Sequence, residues 1–297
     1  MLDNQKTPIV VALGYFDSVH VGHQKVISTA VQLAKDLGVK SGVVTFNGNL
    51  KKALGQTKGK YVFDKEERQT IIKNLGADEV LFLPITKTFL SKGKLAFLNL
   101  LNTVFDVKGY VTGEDYRFGK GGKGNVQYIK RYAKNHDQIV KVVKAVKMDD
   151  EIVSTTSIKM LLADGNIEKA NRFLGYNYFV KGKVFADRQV GEKIGFPTAN
   201  IKIDGDRAQL KNGVYIGKTT INGKAYKTLI NYGGRPTFNL NDRLVETHII
   251  DFKGDLYGQT LTITFTKFLR DIIKFDSVER LKDQLKIDVA TILGEDL

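Results

Sequence analysis

The chain has 297 residues, 42% of them hydrophobic and 26% charged, and no cysteine; this allows two ordinary domains with packed cores and excludes a disulfide framework or a thiolate metal site. Its formal net charge of +14 is uneven: residues 1–180 hold 27 Lys and Arg against 17 Asp and Glu, whereas residues 181–297 hold 19 against 15. Such an excess favours polyanionic partners, nucleic acid or nucleotide phosphates, unless it only solvates a Lys-rich surface. No run of about 18 apolar residues occurs, and the N-terminus MLDNQKTPIVVALGYF lacks the basic region and cleavage site of a signal peptide. A cytoplasmic protein with no membrane partner is expected.

In chain order, apolar or β-branched runs at 8–13, 40–46, 78–84, 107–112 and 139–147 read as strands. Segments with helical spacing separate them at 23–37, 64–75, 93–105 and 125–134. Alternation of this kind predicts a mostly parallel, Rossmann-like sheet with helices on both faces and a ligand site beyond the carboxyl ends of its strands. Helices over 156–164 and 166–174 follow. After Gly175 the runs 178–186, 213–221, 224–231, 244–252 and 260–266 have no helix-length segment between them, and Asn222-Gly223 is a hairpin turn signal. These predict a small antiparallel barrel or sandwich, closed by an amphipathic helix capped by Ser277 with Glu279 in its first turn. The boundary between the two patterns falls near 176–180.

Three places in the first part carry chemistry. Gly14 to His23 connects the first strand to the first helix, where free N–H groups and the helix dipole favour a phosphate. His20 and His23 are three apart there, so both imidazoles can meet phosphate oxygens, and Gly22 leaves room for a nucleotide against the backbone. No third ligand points to zinc. Asp115 and Arg117, after the fourth strand, read as ligands of a nucleotide or flavin, or as an internal salt bridge of the turn. Ser154, Thr155 and Thr156 cap the helix that follows and can present hydroxyls to phosphate. Gly119 to Gly124 lacks the Ser or Thr that a P-loop needs and reads as a basic surface loop.

In the second part, Gly195 and Pro197 fix a loop after the first barrel strand. Thr198 and Asn200 place a hydroxyl and an amide on one face of an extended segment, oxygen donors suited to Mg2+ with a nucleotide phosphate. Glu246 and His248 share one face of their strand, and a carboxylate on a rigid strand can take the proton of an attacking hydroxyl.

GYFDSVHVGHQ, GEDYRFG and VSTTSIKMLLADG, followed by GFPTAN, NYGGRPTF, LVETHIIDF and DLYG, resemble the family of bacterial bifunctional riboflavin kinase/FAD synthetases from about residue 8 to residue 290. The resemblance implies an FMN adenylyltransferase domain over 1–177 and a riboflavin kinase domain over 178–297, with Mg2+ and ATP. It implies that His20 and His23 meet the ATP phosphates and that Gly14, Phe16 and Asp17 shape the nucleotide loop. It also implies that Thr198 and Asn200 serve the Mg–nucleotide site, that Glu246 is the base for the ribityl 5′-hydroxyl, and that Arg270 lies beside flavin or nucleotide. Riboflavin, FMN and ATP would be the substrates and FAD the product, with self-association left open.

Four positions depart from the family pattern. Ser18 stands where Gly is common and would be strained by a positive φ. Asn47-Gly48-Asn49 replaces a Pro-rich segment, Lys159 replaces an Arg that could grip phosphate bidentately, and Ile272 stands where Glu is common. Two other readings remain open: a chain keeping one of the two activities, and a basic flavin-binding regulator that contacts RNA. The latter calls for exposed aromatics interleaved with basic residues. Here the aromatics lie within strands or nucleotide motifs, so nucleic acid is the less favoured partner.

Overall fold

A computed structural model describes residues 6–48, 60–186, 191, 194–234 and 243–295. Asn49 and residues 235–238 of the NYGGRPTF stretch lie outside the described residues. The chain divides into two compact units, Met1–Thr155 and Thr156–Leu297.

The first unit is built on β1 (Pro8–Leu13), β2 (Lys40–Asn47), β3 (Glu79–Pro84), β4 (Asp106–Gly113) and β7 (Ile139–Val143). All neighbours pair in parallel, in the order β3-β2-β1-β4-β7. The connections are α1 (Val21–Leu37), α2 (Lys65–Asn74), α3 (Lys87–Leu90) with α4 (Lys94–Val104), and α5 (Val126–Lys134). Strand alternation explains the two-sided burial. On β1, Ile9, Val11 and Leu13 pack with Leu98 and Leu101 of α4 and Ile129 of α5. Val10 and Ala12 face Ile27 and Ala30 of α1 and Ile72 of α2. Because β2 and β4 flank β1 on opposite sides, the strand order reverses there, and the segments after β1 and β4 leave the sheet side by side.

Between β4 and α5, β5 (Arg117–Phe118) pairs with β6 (Gly124–Asn125). The basic segment expected to be a plain loop instead forms a 3-10 turn, Lys120–Gly122, tied down by the Lys120 N–H to the Lys92 carbonyl at 2.7 Å. The strand expected over 139–147 stops at Val143. A two-residue hairpin follows, β8 (Lys147–Met148) with β9 (Glu151–Ile152).

Helices α6 (Thr155–Asp164) and α7 (Ile167–Leu174) precede a closed barrel of order β10-β11-β14-β13-β12-β15. Its strands are β10 (Phe179–Phe185), β11 (Thr198–Ile203), β12 (Gly213–Ile221), β13 (Lys224–Gly234), β14 (Arg243–Ile249) and β15 (Thr260–Arg270). The barrel thus forms and the sandwich does not. β11 is a sixth strand beyond the five expected runs, and the extended segment read at Thr198 and Asn200 is its start. The β12–β13 hairpin turns on Asn222 and Gly223, both at positive φ (51° and 79°). The terminal helix α8 (Val278–Leu293) starts where Ser277 Oγ accepts the Arg280 N–H, and its Ile292 packs on Val214, Ile216 and Leu229.

The division between units lies upstream of the change in strand pattern. Asn171 on α7 donates to the Phe265 carbonyl (2.8 Å) and accepts from the Tyr178 N–H (2.7 Å), and the Lys211 N–H reaches the Leu162 carbonyl. Ile167, Ala170, Phe173 and Leu174 are fully buried, so α7 belongs to the hydrophobic interior of the second unit.

Candidate active sites

In the first unit the segment after β1 reaches the N-terminus of α1 through a tightly bent path. Phe16 (φ 45°) and Val19 (φ 41°) are both in the left-handed region and both buried. For a β-branched residue such as Val19 this conformation is strained, and it persists only when surrounding packing imposes it. Ser18 escapes the strain expected of it: the positive φ values fall on its neighbours, and its hydroxyl lies 2.9 Å from Thr155 Oγ1. Gly14 is required by close packing, since an added Cβ would sit 2.5 Å from the Phe16 ring; at Gly22 it would sit 3.0 Å from the His20 ring.

His20 is the N-cap of α1. Its Nδ1 accepts the N–H groups of Gly22 (3.1 Å) and His23 (3.3 Å). Since both partners are donors, the neutral ring carries its proton on Nε2. The His23 ring stacks on His20 at 3.7 Å between centroids and meets Phe16 edge-on at 5.2 Å. His23 Nδ1 is enclosed with no hydrogen-bond partner among the described residues. Burial lowers the His20 pKa to about 4. Burial also lowers His23 well below the usual imidazole value, with a smaller contribution from His20. Both rings are therefore neutral donors at pH 7.

Asp17 is buried and accepts the Val62 N–H at 2.9 Å. Arg68, which the sequence did not single out, holds the other side of the same loop by donating to the carbonyls of Tyr15 (3.3 Å) and Phe46 (2.9 Å). Burial lowers its pKa and Asp17 opposes that shift. The only signal of Arg68 in the sequence is a charge on a highly charged helix, which does not distinguish it from its exposed neighbours.

Glu114, Asp115 and Arg117 follow β4. Glu114 binds the segment after β7, its Oε1 accepting the Ala145 N–H at 2.8 Å. Asp115 folds over Gly113, where an added Cβ would lie 3.1 Å from its Oδ1. Asp115 and Arg117 are both exposed, and among the described residues no ion pair joins them, so the salt-bridge alternative does not form. Ser154 and Thr155 close the first unit; Thr156 and Lys159 lie on the opening turns of α6 in the second.

In the barrel, register brings the candidate groups together. Asn200 on β11 and Asn231 on β13 flank Glu246 on β14, and Thr198 sits opposite His248. Asn231 Nδ2 donates to Glu246 Oε2 at 3.3 Å. His248 Nδ1 donates to the Pro197 carbonyl at 2.9 Å and its ring meets the half-buried Phe196 edge-on, so the Gly195–Pro197 stretch is tied to β14. The oxygen Asn200 Oδ1 is buried without a partner among the described residues. Thr198, Asn200, Asn231, Glu246, His248 and Arg270 all line one cavity of about 450 Å³, whose apolar wall includes Phe196, Ile272, Phe275 and Leu285. A second cavity of about 440 Å³ opens on the other face of β11 and β14, lined by Ala199, Thr247 and Ile249 and reaching Tyr257. Thr198 borders both.

Arg270 is fixed by a residue the sequence did not mark. Asp288 of α8, almost fully buried, takes Arg270 in a fork (Nε to Oδ1 3.0 Å, Nη2 to Oδ2 2.6 Å) and is braced by Gln284 Nε2 at 2.9 Å. The pairing spans 18 positions and leaves no local pattern in the sequence.

Comparison with known proteins agrees with both halves. The riboflavin kinase family matches residues 174–294 and the FAD synthetase family residues 2–157. A bifunctional riboflavin kinase/FMN adenylyltransferase of Listeria monocytogenes is 35% identical over 94% of this chain and 90% of its own length. That of Bacillus subtilis is 32% identical over 97% and 92%. A crystal structure from Streptococcus pneumoniae described as a macrolide-efflux protein superposes with a TM-score of 0.88 at 30% identity, covering 98% of this chain and 95% of that one. With both families matched in order and relatives similar over nearly the whole length, the chain belongs to the family of bifunctional riboflavin kinase/FMN adenylyltransferases.

Proposed function

We propose that the two activities are divided one to each unit: the barrel phosphorylates riboflavin to FMN, and the parallel-sheet unit joins FMN to the adenylyl group of ATP to give FAD. The observation that carries the kinase half is Glu246 set between Asn200 and Asn231 in the wall of an apolar-lined cavity. Riboflavin occupies that cavity and the nucleotide the one behind the same two strands, so the reacting groups meet near Thr198. Glu246 accepts the proton of the 5′-hydroxyl as its oxygen bonds to the γ-phosphorus and ADP leaves. Asn231 orients the carboxylate. Thr198 and the unpartnered Asn200 Oδ1 are hard oxygen donors that fit Mg2+. When bound with the nucleotide, Mg2+ would supply charge neutralisation at the phosphates.

In the sheet unit a phosphate oxygen of FMN attacks the α-phosphorus of ATP and pyrophosphate leaves. Neutral His20, its Nε2–H set by the two backbone donors, and His23 beside it bind the oxygens that gain charge. Gly14, Phe16 and Asp17 shape the nucleotide loop, with Ser18 bonded to Thr155. Asp115 and Arg117, exposed beyond β4, meet the flavin nucleotide in this reading. The test is to incubate the protein with riboflavin, ATP and Mg2+ and resolve riboflavin, FMN and FAD by chromatography over time. Glu246→Gln is expected to stop FMN formation while added FMN still becomes FAD, and His23→Ala to do the reverse. Equal damage to both steps by both substitutions would refute one chemistry per unit.

A further inference from the structure

Residues 117–147 hold nine Lys and Arg against a single acid, Asp137, and are flanked by five acids, Glu114 and Asp115 before them and Asp149, Asp150 and Glu151 after them. Four of these cations sit on two segments at the carboxyl end of the sheet. Lys120 and Lys123 lie on and just after the 3-10 turn that follows β5, a turn bent at Gly121 and Gly122, both at positive φ. Lys144 and Lys147 follow β7. The chain just after β4 is linked to the second segment: the Glu114 N–H donates to the Val143 carbonyl at 3.0 Å and Glu114 Oε1 accepts the Ala145 N–H, whereas the Lys120 N–H bonds to the Lys92 carbonyl. Val146, between the second pair, lies against the histidine loop, since a Cβ added at Gly22 would be 3.9 Å from its own Cβ. All four lysines are exposed, and none takes part in an ion pair among the described residues.

The centre of this site holds little positive charge. Its two imidazoles are enclosed and stacked on one another, and the Arg68 guanidinium is spent on backbone carbonyls. Adenylyl transfer nevertheless brings two polyanions, ATP and FMN, into contact, and their mutual repulsion must be overcome before they dock. We propose that Lys120, Lys123, Lys144 and Lys147 form an electrostatic rim that captures the phosphate-bearing substrates of the adenylylation step and guides them to the α1 N-terminus. The rim acts through the long-range field and leaves the bound complex unchanged. It raises kcat/KM and not kcat, and it fades as the Debye length shrinks with salt. The inference rests on the assignment of adenylyl transfer to this unit.

The test is steady-state FAD formation by the full chain from FMN and ATP, each varied in turn, between about 20 and 500 mM KCl. Wild type, Lys144→Gln/Lys147→Gln and Lys120→Glu/Lys123→Glu/Lys144→Glu/Lys147→Glu are compared, with thermal melting followed by circular dichroism as the check that each is folded. Wild-type kcat/KM is expected to fall about tenfold or more across that range. The Gln pair should show a smaller loss at low salt and the quadruple reversal a loss of about tenfold or more, all three converging at high salt with equal kcat. FAD formation indifferent to salt and to both substitutions would overturn the rim, as would a fall in kcat with kcat/KM unchanged. Tight, salt-sensitive binding of poly(U) abolished by the same substitutions, with kcat/KM unmoved, would overturn it in favour of a nucleic-acid surface. Wild type forming no FAD at any salt would overturn the assignment to this unit, and the rim with it.

Discussion

At the scale of single residues, the strongest constraint is on protonation. In the unfolded chain His20 and His23 bind protons below about pH 6.5; in the fold His20 stays neutral down to about pH 4 and His23 is also held well below 6.5. The unfolded state therefore binds more protons in that window, and stability should fall as pH drops from about 6.5 to 4, by up to about 3 kcal/mol from His20. Urea titrations at pH 7 and pH 4.5 should show this loss in wild type and a smaller one in His23→Gln. Glu246 makes the second residue-scale prediction. Glu246→Gln keeps the shape and the neighbouring Asn231 but removes the proposed base, so kcat for FMN formation should drop at least about 100-fold with little change in Tm. Both residues were readable in the sequence because each sits in a compact motif. The reason His20 is a neutral Nε2–H donor was not, since that depends on the N-cap geometry and on the enclosure by His23 and Phe16.

Among elements, the terminal helix is the one whose role depends most on a distant partner. Asp288 is almost fully buried and meets Arg270 across the wall of the larger barrel cavity. Removing Asp288 leaves the mostly buried Arg270 guanidinium without its partner, at a cost of up to roughly 3 kcal/mol. Asp288→Ala should therefore lower the Tm of the barrel unit by up to about 10 °C and raise the KM for riboflavin, which calorimetry and steady-state kinetics would check. Most helices, the first sheet's strands and the Asn222-Gly223 hairpin follow from periodicity and turn chemistry. β11 does not: Thr198 and Asn200 line a cavity where an ordinary strand would place apolar residues, so the polar positions that border the cavity also erase the pattern that reveals the strand. The 3-10 turn at Lys120 and the β8–β9 hairpin were missed for a different reason, being too short to have a period.

For the whole molecule, the position of the division between units is a stability statement. A fragment beginning at residue 178 would lack α7, whose Ile167, Ala170, Phe173 and Leu174 are fully buried and whose Asn171 bonds to Phe265 and Tyr178. Burial of three such large side chains contributes several kcal/mol. A fragment of residues 156–297 should unfold cooperatively and form FMN, whereas residues 178–297 should melt at least about 10 °C lower or fail to fold, as circular dichroism would show. The sequence by itself determined the two-part architecture, the family and the motif residues, because strand and helix periods and short motifs are local properties of the chain. Tertiary structure alone decided that the barrel closes with a sixth strand, that Glu246 stands between two asparagines, that Arg68 and Asp288 brace the sites, and that α6 and α7 join the barrel unit. Each of these rests on register or on contacts between residues far apart in the chain, and such pairings have no signature until the backbone brings their partners together.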